Sequence, residues 1–272
     1  GRVLVGFRER YGRFVADLAE CHVLDPRIAG QLVPLAELIH GMDARSVIPQ
    51  IEVACGDESA ALVFRHLEPL SDNDIGLLRQ FEVDSGLAVL LQPGGPATIH
   101  ALTPPAPELR FGFPDLGLEL AFGPSDFIQV NAEMNRRMVA RALELLDPQP
   151  GERVLDLFCG LGNFTLPLAT RGGDVVGVEG DAELVRKGTE NARRNGLENV
   201  RFHAADLAVD PGAAPWLRGG YDKVLLDPPR SGAEFILEHV AASGAGRLVY
   251  VSCHPASLAR DAGILVERHG FR

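Results

Sequence analysis

From Asp126 onward, apolar and polar positions alternate in blocks with a steady rhythm. Apolar runs at 153–157, 174–178, 200–203, 223–226 and 247–251 read as strands. The stretches between and after them, 163–169, 182–195, 233–242 and 258–269, read as helices. A further helix runs from a cap at Asn131 to Leu146, with Met134, Met138, Ala142 and Leu145 at helical spacing, and 148–151 stops it. Strand and helix in alternation predict βαβ units and a doubly wound parallel sheet over 126–272. Before that the pattern is mixed. Residues 2–7 read as a strand and 27–40 as one helix, while 46–54 and 60–67 read as strands around the turn Cys55-Gly56-Asp57-Glu58. Ser71-Asp72-Asn73-Asp74 reads as a helix start leading into 75–83, and short strands follow at 87–91, 98–102 and 109–113. Residues 1–125 are therefore expected to form a smaller α+β domain with an antiparallel sheet.

Composition adds limits. The 272 residues are 46% hydrophobic and 23% charged, ordinary for a globular chain long enough to bury a core. No apolar run reaches the roughly 18 residues that span a bilayer, so no membrane partner is expected. The net charge of −11 argues against binding nucleic acid by phosphate neutralisation alone. Arginines nevertheless crowd the start (Arg2, Arg8, Arg10, Arg13) and one helix (Arg136, Arg137, Arg141), which leaves room for a local basic surface. Four scattered cysteines without a CxxC signal neither a disulfide framework nor a zinc site, and favour a reducing cytoplasm.

Candidate chemistry gathers where strands end. In an open parallel sheet, groups just past the carboxyl ends of strands line the ligand crevice. The first such turn is Asp156-Leu157-Phe158-Cys159-Gly160-Leu161-Gly162-Asn163-Phe164, whose glycines permit a sharp turn and a close backbone approach. Glu179 ends the second strand, placed to accept both hydroxyl protons of a ribose, so a nucleoside-containing cofactor is expected. Asp227-Pro228-Pro229-Arg230 and Ser252-Cys253-His254-Pro255 end two later strands and offer a carboxylate and a thiol to one cleft. That pair suits covalent chemistry on an electrophilic ring. A cysteine after a buried strand is by itself more often inert packing, and the same plain reading holds for Cys159 inside the turn and Cys55 in its hairpin. Phe127 divides evenly between core residue and stacking surface.

The Asp156–Phe164 turn resembles the S-adenosylmethionine turn of class I methyltransferases rather than the G-x-G-x-x-G of a pyrophosphate site. With 126–131, 178–180, 226–231 and 251–261 in order, the chain resembles the RNA 5-methyluridine methyltransferases, which methylate C5 of uridine in tRNA and 23S ribosomal RNA. The resemblance covers most of 122–272, and more loosely the family's central domain before it. It implies a class I methyltransferase domain, Cys253 as the nucleophile that attacks C6, and Asp227 beside the uracil edge or the cofactor amine. It places the cofactor among Gln129, Phe158, Gly160, Asn163, Glu179, Asp206 and Asp227, with Asp206 at the adenine. Phe127, Gln129 and Arg230 are left to hold the substrate. Glu20-Cys21-His22-Val23-Leu24-Asp25-Pro26 looks like the last of four iron–sulfur ligands in many ribosomal RNA members. A [4Fe–4S] cluster is thus expected in a longer parent and not in this chain, because one cysteine cannot hold it. Both ends look truncated against the family, and the family's proton-abstracting Glu is expected beyond Arg272. The implied partner is 23S ribosomal RNA, and a monomer is expected. A tRNA-modifying enzyme and a catalytically incomplete RNA-binding fragment are the alternatives. An NAD-dependent dehydrogenase would leave Cys253 and the Pro-Pro turn idle. An N-methylating enzyme would use Asp-Pro-Pro, usually followed by an aromatic residue where Arg230 stands here, and would leave Cys253 idle.

Overall fold

The five strands expected in the second half all form, and they pair in one sheet. A computed structural model describes residues 2–10 and 12–272; Gly1, which opens the first expected domain, and Tyr11 lie outside the described residues. The chain divides into two compact units. The first holds 1–110 and 123–126, and the second holds 111–122 and 127–272. The hairpin segment 111–122, expected ahead of the boundary at 125, thus belongs with the second unit.

In the first unit, β1 (Gln50–Cys55), β2 (Ala60–Arg65), β3 (Ala88–Gln92) and β4 (His100–Ala101) pair in chain order. The β1–β2 and β3–β4 pairs are antiparallel, but β2 and β3 are parallel. The sheet is therefore mixed and not antiparallel as expected. The cause is α3 (Asp72–Ser85), a crossover helix that returns the chain to the starting edge. Ser71 caps α3 and forms a capping box with Asp74. The single helix expected over 27–40 is two, α1 (Pro26–Ala29) and α2 (Leu32–Gly41). Pro34 explains the break, because its ring clashes with the carbonyl four residues back, at Gly30. Residues 2–7 form no strand ladder; the bridge Arg8–Val15 stands alone. Leu35, Leu62, Phe64, Leu78 and Val89 centre this unit's core.

In the second unit, β7 (Arg153–Leu157), β8 (Asp174–Glu179), β9 (Val200–Ala204), β10 (Lys223–Leu226) and β11 (Arg247–Tyr250) form a sheet in the order β11-β10-β7-β8-β9. Every pair is parallel. The chain runs outward from β7 through β9, then returns to the other side of β7 for β10 and β11. The order reverses between β7 and β10, so a ligand crevice opens at their carboxyl ends. Buried aliphatic residues on these strands, Leu155, Leu157, Val178, Val224 and Leu226 among them, form the core. Four helices accompany the strands: α5 (Thr165–Ala169), α6 (Ala182–Arg194), α7 (Leu237–Ala242) and α8 (Pro255–His269). The helix expected over 233–242 opens as a tighter 3₁₀ turn, Glu234–Ile236.

Helix α4 (Ala132–Leu146) starts at Asn131, whose side chain accepts from the Met134 N–H at 2.9 Å. Its buried face is Asn135, Val139, Ala142, Leu143 and Leu146, one residue along from the expected stripe; Met134 and Leu145 are exposed. The polar Asn135 hid that register. Strands β5 (Leu109–Phe113) and β6 (Leu118–Phe122) form a hairpin arm, whose β6 is fastened to α6 by side-chain amides. Asn191 accepts from the Ala121 N–H at 2.9 Å and donates to the Ala121 carbonyl at 3.0 Å, and Asn195 treats Glu119 the same way.

Candidate active site at the carboxyl ends of the parallel strands

The turn after β7 is built for close approach. Phe158 holds φ at +64°, in the left-handed region that non-glycine residues seldom occupy. Its N–H and that of Cys159 both donate to the Val178 carbonyl, at 2.9 and 3.1 Å. Gly160 and Gly162 also have positive φ, and at Gly162 a Cβ would stand 2.4 Å from Leu166. Backbone strain of this kind costs about 1–3 kcal/mol and persists where surrounding contacts over-determine it.

Glu179, at the end of β8, reaches across to that turn. One carboxylate oxygen accepts from the Gly160 N–H at 3.0 Å, and the other from Gly180 and Asp181 at 2.7 and 3.1 Å. The second expected turn residue, Asn163, exchanges hydrogen bonds with Asn135 of α4: each amide donates to the other's oxygen, at 2.7 and 2.9 Å. Asn135 is buried and was missed from sequence. Its signal was faint, an amide one helical turn beyond the cap.

Two acids at the switch point are unusual. Asp156 is wholly buried. One of its oxygens accepts from the Thr165 hydroxyl at 2.6 Å, and the other has no partner. Burial, with the nearby Asp227 and Glu179 charges adding, pushes it up to about 8. Asp227 follows β10, and its N–H donates to the Leu157 carbonyl at 3.3 Å, which puts it beside the β7 turn. Burial raises it to about 6. Three carboxyl groups thus converge on the ends of β7, β8 and β10.

Cys253 lies just past β11, the neighbour of β10 in the sheet; the Val251 N–H donates to the Leu226 carbonyl at 2.8 Å. It is exposed. His254 caps α8 and accepts from the Ser257 N–H. Cys159 contrasts with it: that thiol is buried, and burial raises it well above its ordinary range, so it is packing. Asp206 follows β9, and its carboxylate accepts from the Ala208 N–H at 2.8 Å. Arg230 is exposed. Phe127 is 80% exposed, which removes the core reading for it, and Gln129 is half-buried two residues on.

Cys21 sits in the first unit, half-buried. Among the described residues, no group of three or more His, Cys, Asp or Glu side chains converges to hold a metal. The residues present therefore do not by themselves fit a four-thiolate cluster. No described helix is long and apolar enough to cross a membrane.

Comparison with known proteins places this geometry. Residues 148–229 match a family described as "Methyltransferase domain". The matched stretch takes in four of the sheet's five strands, β7 to β10. A protein of Alkalilimnicola ehrlichii named "23S rRNA (uracil(1939)-C(5))-methyltransferase RlmD" is 58% identical over all of this chain, which covers 61% of that protein. A protein of the same name in Xanthomonas euvesicatoria pv. vesicatoria is 55% identical over 99% of this chain, again with 61% of that protein covered. The chain thus spans about three-fifths of the length of the curated relatives it matches. Among solved structures, the tRNA (uracil-54, C5)-methyltransferase of Pyrococcus abyssi in complex with S-adenosyl-L-homocysteine superposes with a TM-score of 0.71. It is 21% identical, with 96% of this chain and 67% of that chain covered, and so speaks for the fold. The stretch matched by the family contains the glycine turn, the acid at the end of β8 and the parallel strands β7 to β10.

Proposed function

We propose that the protein methylates C5 of a uridine in 23S ribosomal RNA, with S-adenosylmethionine as methyl donor and Cys253 as covalent nucleophile. The observation that carries this reading is an exposed thiol and a half-buried acid on adjacent parallel strands, at the open end of a methyltransferase sheet. The close relatives named for uracil C5 support the choice of substrate.

The cluster of acids fits the cofactor. Glu179 is held by three backbone N–H groups in a place where it accepts from ribose hydroxyls, and calorimetry on Glu179→Ala decides that role. The carboxylates of Glu179 and Asp227 make the crevice electronegative, which suits a ligand carrying an ammonium and a sulfonium. Phe158, Gly160 and Asn163 shape its floor, Asp206 flanks the adenine end, and Gln129 closes on it. When bound, that cofactor supplies an electrophilic methyl group.

The chain's own residues activate and orient the ring. Uracil C5 is a poor nucleophile until a group adds at C6. The Cys253 thiolate forms a bond to C6, and the ring's electrons pass to an enolate whose C5 can take the methyl. Loss of the C5 proton to a base then restores the double bond and expels the thiolate. Asp227 and Gln129 orient the ring, and Phe127 stacks on a base turned out of its helix. Arg230 holds a phosphate or the enolate oxygen.

The enzyme acts as a cytoplasmic monomer in this reading. Cys21 serves as one ligand of a [4Fe–4S] cluster completed by residues outside this chain; iron analysis of Cys21→Ser protein decides it. The function itself is tested by mapping 5-methyluridine in ribosomal RNA and tRNA from cells lacking the gene. One 23S uridine should lose its methyl group and regain it with the gene restored. A loss confined to tRNA would move the substrate, and no loss anywhere would end the proposal.

A further inference from the structure

The loop after β10 carries Asp227 and the loop after β11 carries Cys253, and one buried acid outside both loops fastens them together. Asp261, on α8, is fully buried. One of its oxygens accepts from the Tyr250 hydroxyl at 2.6 Å and from the Ala233 N–H at 2.7 Å. The other accepts from Arg260, whose Nε and Nη2 stand at 2.8 and 2.7 Å. Arg260 also donates to the Ser231 carbonyl at 2.8 Å. Tyr250 is three residues before Cys253, while Ser231 and Ala233 lie four and six residues after Asp227. The junction is closely packed: Gly232 sits at φ +85°, and a Cβ there would stand 2.5 Å from both Arg260 Nη2 and Asp261 Oδ2.

Such a buried, fully satisfied charge is strongly localising, because any shift of one partner strands another in a medium that cannot solvate it. Pro228-Pro229 stiffen the span between Asp227 and the anchored 231–233 segment. On the other side, β11 and the first turn of α8 hold Cys253 between Tyr250 and Asp261. We propose that Asp261 is a positioning residue which, through Tyr250, Arg260 and the 231–233 backbone, fixes the thiol of Cys253 against the Asp227 loop for attack on the ring. This rests on the reading of Cys253 as nucleophile.

The test uses the protein as its gene encodes it, with Asp261→Asn, Tyr250→Phe and Gly232→Ala. Hydrogen exchange should quicken together in 230–234 and 252–256 and stay unchanged in the 158–164 turn. The affinity for S-adenosylhomocysteine should stay within about twofold, since that turn and Glu179 are untouched. The single-turnover rate of adduct formation with 5-fluorouridine RNA should fall about tenfold to a hundredfold, the scale of a misplacement near 1 Å. KM for the cofactor should hold. Tyr250→Phe, which removes one donor and leaves the Arg260 pair, should fall between parent and Asp261→Asn. If Asp261→Asn does not fold, the Tyr250 and Gly232 variants carry the same comparison. Exchange that quickens in only one loop overturns the proposal, and so does an unchanged adduct rate when both loosen. A parent protein that forms no adduct would defeat the nucleophile reading instead; the clamp would still stand or fall on whether the two loops loosen together.

Discussion

Cys253→Ala protein should form no covalent product with 5-fluorouridine RNA, while the parent forms one that survives denaturation. Fluorine at C5 cannot depart as a proton does, so after methyl transfer the sulfur–C6 bond has no route to break and the adduct accumulates. Mass spectrometry should place it on the peptide containing Cys253. Turnover on ordinary RNA should drop on the order of 10⁴-fold or more, the scale seen when a covalent nucleophile is deleted. Affinity for S-adenosylhomocysteine should not change, because Cys253 follows β11 and the glycine turn follows β7, two strands away. The other thiol in the second unit gives a sharp control. Cys159 is buried, and its burial opposes the thiolate, so Cys159→Ala should leave the adduct in place. An adduct on Cys159, or methylation at the parental rate by Cys253→Ala, would sink the mechanism.

The second large effect concerns stability and pH. Asp156 is raised from its ordinary 3.8 to about 8 in the folded chain. Below about pH 4 it is protonated whether folded or not, and its burial costs little. Between those values the folded form keeps a proton that the unfolded chain releases, so stability falls as pH rises, and above pH 8 the cost is complete. Asp156→Asn should therefore change little at pH 4 and stabilise the cofactor-free protein most above pH 8. Each pKa unit is worth about 1.4 kcal/mol, so the gain there is on the order of a few kcal/mol. Asp227, raised to about 6, accounts for a separate decline at lower pH, which the variant should keep. Melting temperatures of both proteins from pH 4 to 9 decide the point. Parallel curves would mean that Asp156 is charged at little cost.

The parallel sheet could be read from sequence because its strands are buried on both faces, which leaves continuous apolar runs with abrupt polar ends. The same abrupt ends marked the Asp227 and Cys253 loops. Sequence reading failed where a distant contact set the outcome. The single helix over 27–40 ignored a proline three residues into its second piece. The apolar runs of β2 and β3 carry no sign that α3 returns the chain to the starting edge and makes that pair parallel. Asn135 lay outside the apolar stripe expected for α4, since an amide carries no mark that its partner waits 28 residues on. Asp261 was hidden for the same reason: it belongs to the tail of a legible motif, but its three partners, Tyr250, Ala233 and Arg260, come from three separate stretches of chain.

The reciprocal amide pair between Asn135 and Asn163 sets how the site ages. Each side chain gives one hydrogen and takes one, so the joint is neutral and indifferent to salt and acidity. It has one chemical weakness. Spontaneous hydrolysis of either amide replaces a donor with an acceptor, and two oxygens would then face each other in a buried gap. The helix that follows Phe127 and Gln129 would be pushed off the glycine turn by the loss of a single nitrogen. A bulky apolar neighbour follows one asparagine, Phe164, and an arginine, Arg136, follows the other, where a glycine would speed that hydrolysis. This joint thus stands in a slow-decaying sequence setting, whereas Asn195, which fastens the hairpin arm, is followed by Gly196.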